Sequence, residues 1–492
     1  MVVNSLSFLV FFTVIFLVYY LFFQKNGKMQ NAWLLLGSLF FYGFTEWRTL
    51  PLLVMAILIF YGAGIAVNYY NEKNEKKASC LTMFSVLAGV GILLYFKYFN
   101  FFIESFGNLF TSIGLQVNWH TFQILMPLGI SFFTFKLISY VIEVHRQHME
   151  PCRDLVAFAV YISFFPTILS GPIDRPKQFL GQLGKVRSFD YSMAVDGSRQ
   201  ILWGMFKKMV IADNLAMITA GAWENYEMLP GSLLLINALL YTFQMYADFS
   251  GYSDMAIGVG KLLGIKVAVN FNYPFFAHNV AEYWRRWHIS LTSWLTDYIF
   301  MPLNIRFRYL GQMGMLMAII INLVAVGMWH GANYTFAVFG LYHGILFIPL
   351  VLNGTFMKKH KEKLGKYGMP CLQDFGKMLG TYLLVTFGLI IFAAPSVSVA
   401  CDYVWQMVTE MMVVPDRGVI GQFIISKKTF LIPVLASLVL IAIEWKSRKM
   451  EYGLCLMTNV GNKNVRYLIY QVIILSILFL QGIAATFMYF QF

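Results

Sequence analysis

Apolar residues gather in long, uninterrupted blocks along this chain. Ser5–Phe23, Thr49–Tyr70, Ala78–Phe96, Leu155–Ile173, Met228–Ala247 and Leu468–Phe492 contain no Asp, Glu, Lys or Arg. His120–Ile142, whose sole such charge is Lys136, resembles them, as do Met313–Trp329, Gly331–Met357 and Met378–Ala400. A helix satisfies its own backbone hydrogen bonds, so a block of this length can cross hydrocarbon in that form. The blocks predict an all-α, polytopic integral membrane protein with about 11 transmembrane helices plus interfacial and re-entrant helices, at ~20 apolar residues per crossing. Ala32–Thr45 and Thr429–Ile443 are shorter and are expected to be tilted, re-entrant or half-spanning. The first block lacks a basic leader and a small-residue cleavage site, so it reads as a retained span and not a removed signal peptide.

Composition agrees. Of 492 residues, 59% are hydrophobic and 12% charged, about half the ~25% charged fraction of a soluble domain. Little chain is left for a water-facing domain. The net charge of +13, from 37 basic and 24 acidic residues, reads as topology and not as nucleic-acid binding, because Lys and Arg accumulate in cytoplasmic loops. Lys25, Lys28, Lys73, Lys76, Lys77, Arg146 and Arg153 fall on one side if the amino terminus lies outside. A basic apron between Asp174 and Lys208 holds Arg175, Lys177, Lys185, Arg187, Arg199, Lys207 and Lys208. It either meets anionic lipid heads or also attracts an anionic acyl donor. The five cysteines are scattered, without metal-finger spacing, and read as packing residues.

Polar residues and Pro/Gly clusters interrupt the apolar pattern between about Phe122 and Pro349, which marks that stretch for function; broken backbone at membrane depth is tolerated where protein covers it or it lines a wet cavity. Within it, Glu282–Tyr298 has helical periodicity, with Trp284, His288, Leu291, Leu295 and Tyr298 on one stripe. A bilayer-surface anchor explains its Trp, Tyr and Arg content, but His288 falls on the apolar side, where its ring needs a partner. His330 stands at the junction of two apolar blocks, between Trp329 and Gly331, with Asn333 one turn onward. A helix-packing histidine is one reading; the other is a functional group, because an ionisable residue at membrane depth is costly. Burial favours the neutral imidazole, which can accept a proton as a general base. His343 would lie ~20 Å from His330 on one unbroken helix, so it is expected to support or line the site. Metal binding is not expected, since no suitable third ligand stands near. His145, His148 and His360 sit among charges and read as loop residues. Asp248 and Asp254 flank Ser250 and Gly251, as a local turn or cap, as supports of a catalytic ring, or as lining of a polar passage. No Gly-x-Ser-x-Gly elbow or Walker loop is present, which removes the footing for a serine-triad hydrolase or nucleotide-driven pump. A transporter or proton channel using the His and Asp residues as a relay is the rival from another class.

At these residues the sequence resembles the membrane-bound O-acyltransferase family, in particular the branch of alginate and peptidoglycan O-acetyltransferases. The resemblance is carried by Pro127-Leu-Gly-Ile-Ser-Phe-Phe-Thr-Phe135, Ser163-Phe-Phe-Pro166 with Ser170-Gly-Pro172, and Gly204-Met-Phe-Lys-Lys208 with Ile211-Ala-Asp-Asn214. It continues through Asp248-Phe-Ser-Gly-Tyr-Ser-Asp-Met-Ala-Ile257, Asn270-Phe-Asn-Tyr-Pro274, Trp284-Arg-Arg-Trp-His-Ile-Ser-Leu291 and Met328-Trp-His-Gly-Ala332. The closing Tyr489-Phe-Gln-Phe492 also resembles the end of that branch. One departure is Phe392-Ala-Ala-Pro395, where relatives are expected to carry an aromatic-Arg-Ala pattern.

The resemblance implies a ring of helices around a central tunnel, with residues 122–349 as the catalytic core between amino-terminal (1–121) and carboxy-terminal (350–492) transmembrane helices of one continuous membrane domain. It makes His330 the catalytic histidine and His288 the second histidine. Trp287, Trp329, Asn333, His343, Asp248 and Asp254 are assigned to the tunnel or its support. Trp329 and Asn333 are also candidates to stabilise an oxyanion. The basic residues Arg175, Lys207, Lys208, Arg285 and Arg286 are assigned to the donor. No cofactor is expected to be tightly bound; acetyl-CoA or another acyl thioester is the donor substrate. The expected location is the bacterial cytoplasmic (inner) membrane. The expected partners are the lipid bilayer, a secreted or membrane-anchored acetyltransferase of the SGNH type and a polysaccharide acceptor. D-Alanyl or long-chain acyl transfer on the same fold is the alternative.

Overall fold

The structure, a computed structural model, describes residues 1, 3–114, 124–358, 360, 364–365, 368–425 and 427–488. The protein is all-α among these residues, apart from one isolated bridge between Leu364 and Pro370. Contacts divide it into two units, Met1–Ser198 with Ala256–Ala268, and Arg199–Met255 with Val269–Phe492.

The first unit begins with α1 (Leu6–Leu21), α2 (Gly27–Glu46), α3 (Leu50–Lys73), α4 (Glu75–Leu93) and α5 (Phe99–Ser112). It continues through α6 (Ile130–His145), α7 (Leu155–Ser163), α8 (Pro176–Leu183) and the start of α9 (Tyr191–Met205). Asn26 and Asn74 begin α2 and α4 by accepting from backbone N–H groups that have no partner inside the helix. Inside the unit, Lys136 of α6 donates to Thr167 at 2.9 Å and lies 3.8 Å from Asp174. The one basic residue of that apolar block is thereby neutralised locally, as a buried charge requires.

The second unit contains a π-helical turn (Phe206–Ala212), α10 (Asp213–Glu224) and most of α11 (Gly231–Leu262). Next come α12 (Val280–Arg286), α13 (Ile289–Leu295), α14 (Met301–Arg306), α15 (Gln312–His330), α16 (Tyr334–Leu346) and α17 (Ile348–Leu352). The remaining helices are α18 (Leu372–Ala393), α19 (Val397–Thr409), α20 (Arg417–Ile424), α21 (Lys427–Ser447) and α22 (Lys463–Leu480).

Seven helical segments among the described residues are long and apolar enough to cross a membrane: Gly27–Lys73, Glu75–Ser112, Gln312–His330, Tyr334–Leu352, Leu372–Ala393, Thr429–Ser447 and Lys463–Leu480. The protein is a multi-pass membrane protein with fewer such segments than the about 11 that apolar length alone suggests. Two of the seven, Gly27–Lys73 and Glu75–Ser112, each join two helices (α2 with α3, α4 with α5), and the rest of the shortfall has local causes. The block Leu155–Ile173 is helical only to Ser163, and Pro166, Gly171 and Pro172 then hold it in buried turns. The block starting at Leu468 does supply a crossing-length helix, Lys463–Leu480, and leaves it at Leu480; Tyr489–Phe492 lies outside the described residues. Part of His120–Ile142 also lies outside them; α6 begins at Ile130. Conversely, Thr429–Ile443 is part of a full-length apolar helix, and Ala32–Thr45 lies within α2. The cysteines are not core residues: Cys80 and Cys401 are exposed and the other three are half-buried, and none of the five forms a disulfide.

Candidate active site

His330 is the last residue of α15, and the chain reverses at Gly331 to enter α16. Glycine permits the tight helical hairpin: a Cβ on Gly327 would collide with the Phe336 carbonyl, and one on Gly340 with that of Leu323. His330 and His343 therefore stand on opposite arms of a hairpin, not on one unbroken helix. His330 is 8% exposed. It packs against Trp329 (ring centroids 4.9 Å) and edge-on to Phe392 (4.9 Å). Phe392 in turn touches Phe339 at 5.2 Å, and Phe339 touches His343 at 4.7 Å, so an aromatic chain links the two imidazoles.

The second histidine occupies a break. Helical periodicity across Glu282–Tyr298 suggests one helix, but α12 stops at Arg286 and α13 starts at Ile289. Between them His288 takes a left-handed backbone, φ 44° and ψ 51°, a conformation that costs a β-carbon residue about 1–3 kcal/mol and is retained only where surroundings impose it. Asn270 supplies those surroundings. Its carbonyl accepts from Ile289 N–H at 2.8 Å. Its side-chain Oδ1 lies 2.6 Å from Ser290 Oγ, 3.3 Å from Ser290 N and 3.2 Å from His288 Nδ1.

These contacts settle the tautomer. The Ser290 backbone N–H can only donate, so the atom it meets is the amide oxygen. His288 Nδ1 must then donate to that oxygen, which leaves Nε2 as the proton acceptor. Burial pushes the imidazole down to about 3, so the ring is neutral at ordinary pH. Phe249 (4.6 Å) and Trp329 (5.6 Å) cover it edge-on. Trp329 thus contacts both candidate histidines.

The supporting residues divide by role. Asn333 caps α16, accepting from Thr335 N–H at 3.0 Å and donating to the Pro395 carbonyl at 2.8 Å, so its amide is used structurally. His343 accepts from the Trp284 indole at 3.3 Å and is 1% exposed. Trp287 stacks on Tyr283 and meets Phe271 edge-on. Asp248 pairs with Lys208 at 2.8 Å and accepts from Met488 N–H at 3.1 Å. Asp254 pairs with Lys207 at 2.5 Å and accepts from Gln200 at 2.8 Å. Lys208 also pairs with Asp213 at 2.9 Å.

These lysines are buried against α11 and are not part of an open basic surface. The approach depends on two glycines: a Cβ on Gly204 would lie 2.5 Å from the Gly251 carbonyl, and one on Gly251 would lie 2.8 Å from that of Gly204. Arg187 is likewise internal, donating to Tyr19 and, at 2.6 Å, to Asn31. Arg175, in the first unit, lines a polar cavity of about 470 Å³ with Gln178, Gln182 and Lys266. Arg285 is exposed and donates to the Phe356 carbonyl at 3.2 Å. Arg286 pairs with Glu282 at 2.6 Å. Burial pushes the Glu282 carboxyl up, but hydrogen bonds from His278 and the adjacent Arg286 guanidinium overcome it and hold the group down at about 2.

Ala393, at the position where an arginine is expected from the family pattern, lines a cavity of about 430 Å³ with Thr219, Tyr241 and Gln244. Asn270, Phe249 and Phe392 are contacts of the histidines that sequence reasoning did not assign to the site. Asn270 and Phe249 lie within recognisable motifs, whereas Phe392 carried no signal beyond the altered pattern around it.

Residues 2–361 match the profile of the membrane-bound O-acyltransferase family. The chain is 35% identical over 418 residues to the probable alginate O-acetylase AlgI of Pseudomonas aeruginosa, covering 84% of this chain and 75% of that protein. It is 34% identical over 367 residues to a peptidoglycan O-acetyltransferase of Helicobacter pylori, covering 68% and 67%. It is 31% identical over 280 residues to a teichoic acid D-alanyltransferase of Streptococcus thermophilus, covering 54% and 66%. A multi-pass helical chain matched over this length, with both buried histidines inside the matched span, belongs to the membrane-bound O-acyltransferase family.

Proposed function

We propose that this protein moves an acetyl group from a cytoplasmic thioester, acetyl-CoA or a related donor, onto an extracytoplasmic polysaccharide. Transfer is direct or passes through a secreted or membrane-anchored acetyltransferase of the SGNH type, and the protein resides in a bacterial cytoplasmic membrane. The observation that carries this reading is His330: a buried imidazole ending a membrane-length helix, sharing Trp329 with a second buried imidazole.

In the proposed reaction His330 removes the proton from an acceptor hydroxyl as its oxygen attacks the thioester carbonyl. The tetrahedral adduct then collapses, the carbon–sulfur bond breaks, and the thiolate leaves with the proton returned by His330. A correctly placed base contributes about 10²–10⁴-fold. The indole N–H of Trp329 is the proposed donor to the developing oxyanion, where a preorganised hydrogen bond is most effective. His288 holds Trp329 in place and presents Nε2 as a second acceptor. Reagents reach His330 from opposite faces of the bilayer in this reading, and the cavity beside Ala393 is proposed as part of the route. The cavity sets the polar groups of Thr219, Tyr241 and Gln244 among alanines, Met217, Trp223, Ile483 and Met488.

D-Alanyl transfer is the second reading, supported by the teichoic acid D-alanyltransferases, although that similarity spans about half of this chain. His330→Ala is the test. Acetylation of the cell-surface polymer should disappear while the purified variant stays monodisperse; normal acetylation by the variant overturns the assignment.

A further inference from the structure

Away from the two histidines discussed above, three polar side chains from three parts of the second unit converge. His278 precedes α12, His360 lies between α17 and α18, and Asp374 is in the first turn of α18. One ligand-capable atom from each lies within 4.8 Å of the others. The two imidazole centroids are 4.1 Å apart, and His360 Nε2 is 2.9 Å from Asp374 Oδ1.

His278 supplies an independent observation. Its side chain is 2% exposed, and its Nδ1 lies 3.0 Å from Glu282 Oε2. The carboxylate accepts, so Nδ1 carries the proton and Nε2 has its lone pair outward. That Nε2 is buried without a hydrogen-bond partner. Buried polar atoms are seldom left in this state, and a carboxylate behind an imidazole is the arrangement that orients histidine ligands toward metals. A simple ion pair between His360 and Asp374 leaves the His278 lone pair unexplained.

We infer that His278, His360 and Asp374 form a binding site for a divalent transition metal, with Zn²⁺ the best fit, that ties His360 and the first turn of α18 to the start of α12. Two imidazole nitrogens and one carboxylate oxygen are a donor set that Zn²⁺ favours. Ligands held at about 2.0–2.2 Å from a tetrahedral ion stand roughly 3.3–3.6 Å apart. The three ligand atoms, all within 4.8 Å of one another, therefore need to close by at most about 1.5 Å. The fourth position is left for water or another ligand. Because α12 leads directly into the His288 break, the site's role is to steady that approach.

The test uses the full-length protein, purified in detergent through a tag without histidine, loaded with Zn²⁺, desalted and assayed by elemental analysis. One zinc per chain is expected. His278→Ala and His360→Ala should lose it while remaining monodisperse, and His148→Ala, on an exposed pair elsewhere, should retain it. Glu282→Gln should weaken binding about 10–100-fold. His360 is partly exposed, so its replacement tests the site even if His278→Ala misfolds. Absence of stoichiometric zinc from the parent, or its retention by a monodisperse His360→Ala variant, overturns the proposal.

Discussion

Replacing Asn270 with Ala removes the amide that fixes His288. Asn270 is fully buried, and its side chain serves Ser290 Oγ, Ser290 N, His288 Nδ1 and, through Nδ2, Ser253 Oγ at 3.2 Å. The substitution strips acceptors from at least two buried donors, the Ser290 hydroxyl and the His288 Nδ1–H. At about 1–3 kcal/mol for each buried group left unsatisfied, the expected loss of stability is about 2–6 kcal/mol. The backbone bond from Ile289 survives, so the break persists while the ring loses its tautomer lock. One positioning hydrogen bond of about 0.5–1.5 kcal/mol, if realised wholly in the transition state, corresponds to a further 2- to 13-fold in turnover. Asn270→Asp keeps an oxygen acceptor for Nδ1–H and should restore turnover more fully than stability. The assays are thermal unfolding in detergent, and kcat and KM for transfer from a labelled thioester. Unchanged unfolding and turnover in Asn270→Ala, or no recovery in Asn270→Asp, refutes the reasoning.

Lys208→Met leaves Asp248 and Asp213 facing each other without their cation and should cost about 3–5 kcal/mol of stability, while Lys208→Met with Asp248→Asn should cost less than the two single changes summed. A raised KM for the thioester with unchanged unfolding would instead assign Lys208 to the donor. Gly251→Ala pushes a methyl toward the Gly204 carbonyl, and the expected cost of this overpacking is about 1–3 kcal/mol. An unshifted unfolding temperature contradicts the close helix crossing as the reason for glycine there.

What the sequence disclosed depended on whether the signal was local. Apolar blocks mark membrane helices because hydrocarbon imposes one secondary structure over a known length. His330 is visible for the same reason, being ionisable between two such blocks. Apolarity does not reveal where a helix stops, so Leu155–Ile173 looks like a span although its Pro and Gly residues end the helix early. Periodicity is equally blind to a single left-handed residue: His288 breaks the Glu282–Tyr298 pattern because Asn270, distant in sequence, holds it. Lys207 and Lys208 look like surface charges when counted with their neighbours. Two of their aspartates, Asp248 and Asp254, are on α11, and only tertiary contact shows the charges turned inward. His278, His360 and Asp374 leave no spacing signature, since each comes from a different segment.

The most direct test of the central claim is sided transfer in proteoliposomes. Thioester carrying a labelled acetyl group is supplied on the cytoplasmic face and a hydroxylic acceptor on the other. Label covalently bound to the outer acceptor is expected with the parent protein and absent with His330→Ala. Passage of solute or protons without covalent product, undiminished by His330→Ala, would contradict the account and favour a carrier.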